Sequence, residues 1–191
     1  MDPAEAEGPP GKERKSMHGK VKSRDITIIA LGIALYIVFS LFIPVRVVGN
    51  YFLCFGYLVM VIYPYLFGSF AGGLVGLLGT LIYCLIEGSF GGIVGWTLGN
   101  TFIGVALGIL FDKSRKIMKK EKKSAVEVVF IVTCCAIAFL LIKPLFESIV
   151  AKIPFMIRLA ANMPAFLMDS FVMLIGYPLA LYFDSHYKFH K

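Results

Sequence analysis

Residues 47–86 read VVGNYFLCFGYLVMVIYPYLFGSFAGGLVGLLGTLIYCLI, forty positions without an Asp, Glu, Lys, Arg or His. A helix needs about 20 apolar residues to cross the hydrocarbon of a bilayer, where every backbone polar group must be satisfied within the protein. The run therefore reads as two spans folded back on each other near Gly68-Ser69. Outward from it, further uncharged runs occupy residues 26–45, 88–111, 128–142 and 170–183. Together they predict an all-α integral membrane protein, a bundle of six transmembrane helices at about 26–43, 51–67, 71–87, 93–111, 125–142 and 163–183.

Composition agrees: 58% of residues are hydrophobic, 16% are charged, and the mean hydropathy is +0.80. These values belong to the integral membrane class and to one compact domain. The net charge of +7 does not point to nucleic acid, because the basic residues flank the spans instead of forming a continuous patch. Fifteen Lys and Arg fall before residue 25, in 112–123 and after residue 183, against four (Arg46, Lys143, Lys152 and Arg158) on the other side. Cytoplasmic loops accumulate Lys and Arg, so both termini and the 112–123 loop are expected in the cytoplasm.

The domain plan has three parts. Residues 1–25, rich in Pro, Gly, Glu and Lys, are expected to be a disordered cytoplasmic tail, with 1–16 as an extension or tag ahead of Met17. Residues 26–183 form the membrane domain, and 184–191 a short cytoplasmic tail. The first span is too long and lacks the cleavage site of a removable signal peptide, so it is expected to stay. Cys54, Cys84, Cys134 and Cys135 all fall in spans and make no Cys-x-x-Cys pair, so neither a disulfide framework nor a metal site is indicated.

Glycine marks how the spans pack. Gly72, Gly76 and Thr80 recur at four-residue spacing, as do Gly95 and Gly99 and then Asn100, Gly104 and Gly108. Small residues so spaced let helices approach closely where lipid provides no hydrophobic drive between them. Pro44 ends the first span, Pro64 kinks the second, and residues 143–162 read as an outer, partly helical flap.

Polar groups inside a membrane are costly, so their placement points to a site. They gather at one depth. Tyr83 and Glu87 lie at i, i+4 near the outer end of the third span, Trp96 and Asn100 do the same in the fourth, and Asn162 and Asp169 share a face at i, i+7 in the sixth. At about 1.5 Å per residue Asp169 lies roughly 8 Å past Pro164, still in the outer half. Arg46, Asn50, Lys143, Glu147 and Arg158 cap the same side. The result is a cup open to the outside, with no comparable polar series in the inner half. Trp96 also suits an interfacial aromatic belt, Glu87, Lys143, Glu147 and Arg158 also suit solvated positions, and Asn100 serves an interhelical hydrogen bond as readily as a ligand. Asp169 is the strongest single candidate.

No catalytic motif accompanies the cup. The sequence holds no His-Glu-x-x-His, no Gly-x-Ser-x-Gly elbow and no Walker loop, and its three histidines, His18, His186 and His190, lie in the tails. No cofactor is implied, and energised uptake would need a separate ATPase.

Residues 25–183 resemble the substrate-binding S components of energy-coupling factor (ECF) transporters. The resemblance rests on six spans with both ends inside, on Ala30-Leu-Gly-Ile-Ala34, and on Gly49-Asn-Tyr-Phe-Leu-Cys-Phe-Gly56. It rests also on Leu66-Phe-Gly-Ser-Phe-Ala-Gly-Gly-Leu-Val-Gly76 and Gly95-Trp-Thr-Leu-Gly-Asn-Thr-Phe-Ile-Gly104. It implies a multi-pass protein of the bacterial plasma membrane that captures a vitamin, vitamin precursor or similar micronutrient. Its partners would be a transmembrane T subunit and two cytoplasmic ATPases. Ala30 and Ala34 would dock on the T subunit, and residues 46–50 would gate the cup. Asp169, Asn100, Trp96, Tyr83, Glu87, Asn50, Arg46, Lys143, Arg158 and Asn162 are the substrate-binding candidates. Riboflavin, folate, thiamine or its pyrimidine, pantothenate and queuosine precursors stay open, with the aromatic lining favouring a planar ring. Two other classes compete: an intramembrane enzyme using Glu87 and Asp169 as acid and base, and an assembly subunit without a ligand.

Overall fold

A computed structural model describes residues 23–42, 45–48, 51–88, 90, 92–117 and 120–187. The tail expected at 1–22 lies outside the described residues, as do 188–191. Apart from one small ribbon, the described chain is helical: α1 (Ser23–Phe42), α2 (Gly56–Leu74), α3 (Thr80–Glu87), α4 (Ile93–Ile117), α5 (Lys120–Ala136), α6 (Lys143–Ala151) and α7 (Phe155–Tyr187). Five helical stretches are long and apolar enough to cross a membrane: Ser23–Phe42, Gly56–Glu87, Ile93–Ile117, Lys123–Ala151 and Phe155–Tyr187.

The stretch Gly56–Glu87 is not one straight rod. Gly68 has φ 80° and ψ −175°, a backbone that only glycine adopts cheaply, and the chain reverses there. Two close approaches measure the reversal. A Cβ built on Gly72 would lie 2.7 Å from the Cβ of Pro64, and one on Gly76 would lie 3.0 Å from Cε of Met60. Pairs eight and sixteen residues apart touch only if the helix on one side of Gly68 runs back along the other. Past the reversal, a π turn at Val75–Gly79 leads into α3, which stops at Gly88 in a left-handed cap.

The helices before and after Gly68 sit at the centre, packed on α4, α7 and α1. The expected glycine ridges make the closest seam. A Cβ on Gly104 would overlap the Gly72 carbonyl oxygen, one on Gly108 would overlap the Ser69 backbone, and one on Gly76 would overlap the Asn100 carbonyl. Tyr57, Met60, Tyr65, Ile103, Leu107 and Phe111 fill the interior on either side of this seam.

Four expectations need correction. The outer loop after Pro44 carries an antiparallel ribbon, β1 (Val45–Val48) with β2 (Tyr51–Leu53), interrupted by an irregularity between Arg46 and Val48. The flap expected at 143–162 is almost all helix, because α5 passes through a π turn, Ile137–Ile142, straight into α6, and α7 already begins at Phe155. Pro144 directly follows the π turn, where the regular i→i−4 ladder is already broken, so its missing N–H costs less there than in a regular helix interior. At the chain ends, helix replaces expected tail at Ser23–Asp25 and at Asp184–Tyr187. The inner half is also not devoid of polar groups. Glu127 is fully buried there, accepting from the Ser114 hydroxyl at 2.7 Å and the Tyr177 hydroxyl at 2.6 Å, with the Lys123 ammonium 3.9 Å away. Beside it Arg115 lies 4.3 Å from the Tyr65 ring centre and donates to the Tyr65 carbonyl, one of those freed where the helix breaks at Gly68.

Candidate substrate site

At the end of the bundle opposite Glu127, four helices bring their polar residues together. Asn100 of α4 is the hub. Its Nδ2 donates to the Thr80 hydroxyl at 2.7 Å and the Tyr36 hydroxyl at 3.1 Å, and its Oδ1 accepts from the Tyr57 hydroxyl at 3.0 Å. Tyr57 in turn accepts from Trp96 Nε1 at 2.8 Å. Both Nδ2 hydrogens are thereby used, so of the two readings left open for Asn100 the structure displays the interhelical one. In hydrocarbon, hydroxyls without partners are costly, and this chain satisfies three of them at once.

The second half of the site comes from α6 and α7. The Lys143 ammonium lies 4.7 Å from the Trp96 ring centre and 5.5 Å from that of Phe139, and 4.0 Å from Glu147 Oε1. Glu147 Oε2 accepts from Asn162 Nδ2 at 3.0 Å, and Asn162 also donates to the Arg158 carbonyl. Trp96, Gly99, Asn100, Ala138, Phe139 and Lys143 line a narrow, partly open hollow with no room for a water molecule. The preceding π turn positions this wall, since one extra residue per turn re-aims everything beyond it. Phe139 and Lys143 thus face Trp96, while Gly95 lets α4 come within 2.8 Å of the Lys143 carbonyl, measured from a built Cβ.

Asp169 is buried on α7. The Cys54 backbone amide and the charge of Lys143 both act on its carboxylate, yet Oδ1 has no hydrogen-bond partner among the described residues. A buried carboxylate oxygen left without a donor is a rare feature that calls for a reason, and an incoming ligand is one.

The other candidates fall on either side. Tyr83 meets Trp96 edge to face at 5.6 Å, and Asn162 is buried two helical turns from Asp169 on α7. Arg158 is half-buried and its Nε lacks a partner among the described residues. Glu87 is exposed at the end of α3, apart from the hollow. Arg46 lies in β1, and Asn50 lies outside the described residues. No group of His, Cys, Asp and Glu suited to a metal occurs among the described residues.

The family model for the ECF-type riboflavin transporter, S component, matches residues 20–184. The chain belongs to that family. It is thus a substrate-binding transporter subunit of a multi-pass membrane class, and the family is one of transport proteins, not enzymes. No solved structure matches this S component.

Sequence reasoning missed Tyr36, Tyr57, Thr80 and Phe139. Tyr36, Tyr57 and Phe139 sit in apolar runs where they count as hydrophobic and Thr80 counts only as a small packing residue, so only the crossing of α1, α2 and α3 at Asn100 reveals the three hydroxyls as a set. The signal available was the pairing of Tyr36 and Tyr57 with an in-membrane Asn, since a tyrosine buried in lipid needs a partner. Ala30 and Ala34 are exposed on α1, opposite the face that buries Ile29, Gly32, Tyr36 and Ser40.

Proposed function

We propose that this S component captures riboflavin at the outer face of a bacterial plasma membrane and delivers it inward with a T subunit and two ATPases. The observation that carries the reading is the Lys143 ammonium seated over the Trp96 ring, with a buried Asp169 carboxylate on α7 that keeps one oxygen without a partner among the described residues. The family points the same way. A flavin ring is planar, and its edge carries carbonyl acceptors beside an N–H donor. Trp96 and Phe139 offer stacking faces for the ring, and the half-buried Lys143 and the buried Asp169 set charged groups at the same end of the bundle.

The test is titration of the purified protein with riboflavin, followed by loss of flavin fluorescence, together with native mass spectrometry of the protein as purified. Saturable one-to-one binding is expected. Absence of binding, with another metabolite retained instead, would overturn riboflavin as the substrate. Asp169→Ala and Trp96→Ala should each weaken binding by about 1–3 kcal/mol, or roughly 5- to 150-fold. Asn100→Ala should instead lower the melting temperature, because it strips partners from Tyr36, Tyr57 and Thr80.

The proposed orientation has six spans, the reversal at Gly68 separating two of them, and both termini inside. Ser114 is buried against Glu127 and cannot report on sidedness, but Lys116 and Lys152 are exposed. A cysteine at Lys116 should react only with reagents that enter the cell, and one at Lys152 with an impermeant reagent outside. The reverse pattern would invert the topology and move the cup to the cytoplasm.

A further inference from the structure

The hollow between Trp96 and Lys143 has no room even for a water molecule, whereas sites that enclose a vitamin-sized molecule run to about 300–1,000 Å³. Room must come from a wall that can move. Asn100 is fixed by three hydrogen bonds, and Trp96 is tied to Tyr57 and braced by Tyr83. Phe139 leans on the Tyr57 ring at 5.7 Å, Gly99 has no side chain, and Ala138 has only a methyl that cannot rotate away. Lys143 is the exception. Its ammonium rides on four rotatable bonds, and its ion pair with Glu147, at 4.0 Å, is at the outer limit of such contacts.

A second place for that ammonium is already built. The Asp169 carboxylate, buried on α7, keeps one oxygen without a donor among the described residues. We infer that Lys143 is a displaceable plug that determines specificity: its ammonium covers the indole face of Trp96, and a planar ring takes that face only by sending the ammonium toward Asp169. The exchange selects its ligand. A flat aromatic ring replaces the cation over the indole with a stacking contact, while a molecule without an aromatic face has nothing to offer for it. This inference rests on the proposed reading of the cup as a planar-vitamin site and adds which residue controls entry.

The plug predicts opposite signs for two variants. Lys143→Met keeps an unbranched side chain one atom shorter and loses the cation, so riboflavin should bind roughly 2- to 10-fold tighter than to the wild type. Lys143→Arg places a planar guanidinium on the indole, a better cover, and should bind more weakly. If Lys143 instead only donates to the bound ring, Met weakens binding and Arg leaves it unchanged, which overturns the plug and leaves the riboflavin reading intact. A ligand-free readout separates the two ideas further, because Trp96 is the one tryptophan of the chain. Acrylamide should quench Trp96 emission more strongly in Lys143→Met than in wild type, and least in Lys143→Arg. Equal quenching in all three overturns the plug even if riboflavin proves the wrong ligand, and graded quenching without riboflavin binding sustains the plug while removing that substrate. Should Lys143→Met fail to fold, Lys143→Gln and the Arg variant give the same comparison.

Discussion

Gly104→Val is expected to yield almost no monodisperse protein in detergent, with any recovered fraction melting far below the wild type. A single methyl at this position already overlaps the carbonyl oxygen of Gly72, and the neighbouring contacts leave no direction of escape, since Gly108 meets Ser69 and Gly76 meets Asn100 along the same seam. Backbone cannot rotate away as a side chain would. The helices must separate, and in a bilayer no hydrophobic force draws them back, because lipid solvates the exposed surfaces as well as the protein does. Overpacking of this kind costs about 3 kcal/mol or more, at the upper end of what core insertions produce. Separation would also pull Asn100 from Thr80 and Tyr36, so the loss of packing and the loss of hydrogen bonds add. Gly99→Ala is the control. Its Cβ would lie 3.4 Å from the Ala138 carbonyl, an ordinary contact, and it should express and melt nearly as the wild type. Equal behaviour of the two variants would show that the seam on Gly104 does not hold the bundle together.

The seam was legible because its signal is local: glycines at four-residue spacing inside an uncharged run have few other uses. The reversal at Gly68 was legible for the same reason, as forty uncharged residues cannot be one span. Lys143–Ala151 was not. Proline and charge within residues 143–152 look like loop chemistry, yet Pro144 sits just past a π turn in a continuous helix and Glu147 is buried between Lys143 and Asn162. Whether a charge is solvated or paired across helices is a tertiary fact that spacing does not carry. Glu127 makes the same point at the other end. It falls at one end of the fifth expected span, beside a lysine-rich segment, so the pattern does not say what it meets, while Ser114 and Tyr177 from two other helices bury it. For the cup, residues with unusual chemistry for a membrane (Asn100, Lys143, Asp169) stood out, and those whose polar atom is one hydroxyl on an apolar body did not.

Ala30→Trp combined with Ala34→Trp is expected to reduce ATP-driven riboflavin uptake to the level of cells lacking the S component, and to abolish its co-purification with the T subunit. The isolated protein should still bind riboflavin within about 2-fold of the wild type. Both halves follow from α1. Ala30 and Ala34 lie on its exposed side with Leu31 and Val38, whereas Gly32, Tyr36 and Ser40 lie on the buried side, with Tyr36 reaching the Asn100 network. Two indoles on the outer side therefore stand clear of the cup. They would, however, hold any partner helix several ångströms away, and close van der Waals contact is what stabilises helix pairs in lipid. A loss of one or two such contacts would slow uptake, but a spacer of two tryptophans one turn apart should remove the docking surface altogether. Uptake at the wild-type rate would exclude this face as the docking surface. Parallel loss of binding and uptake would place α1, through Tyr36, in the support of the site itself.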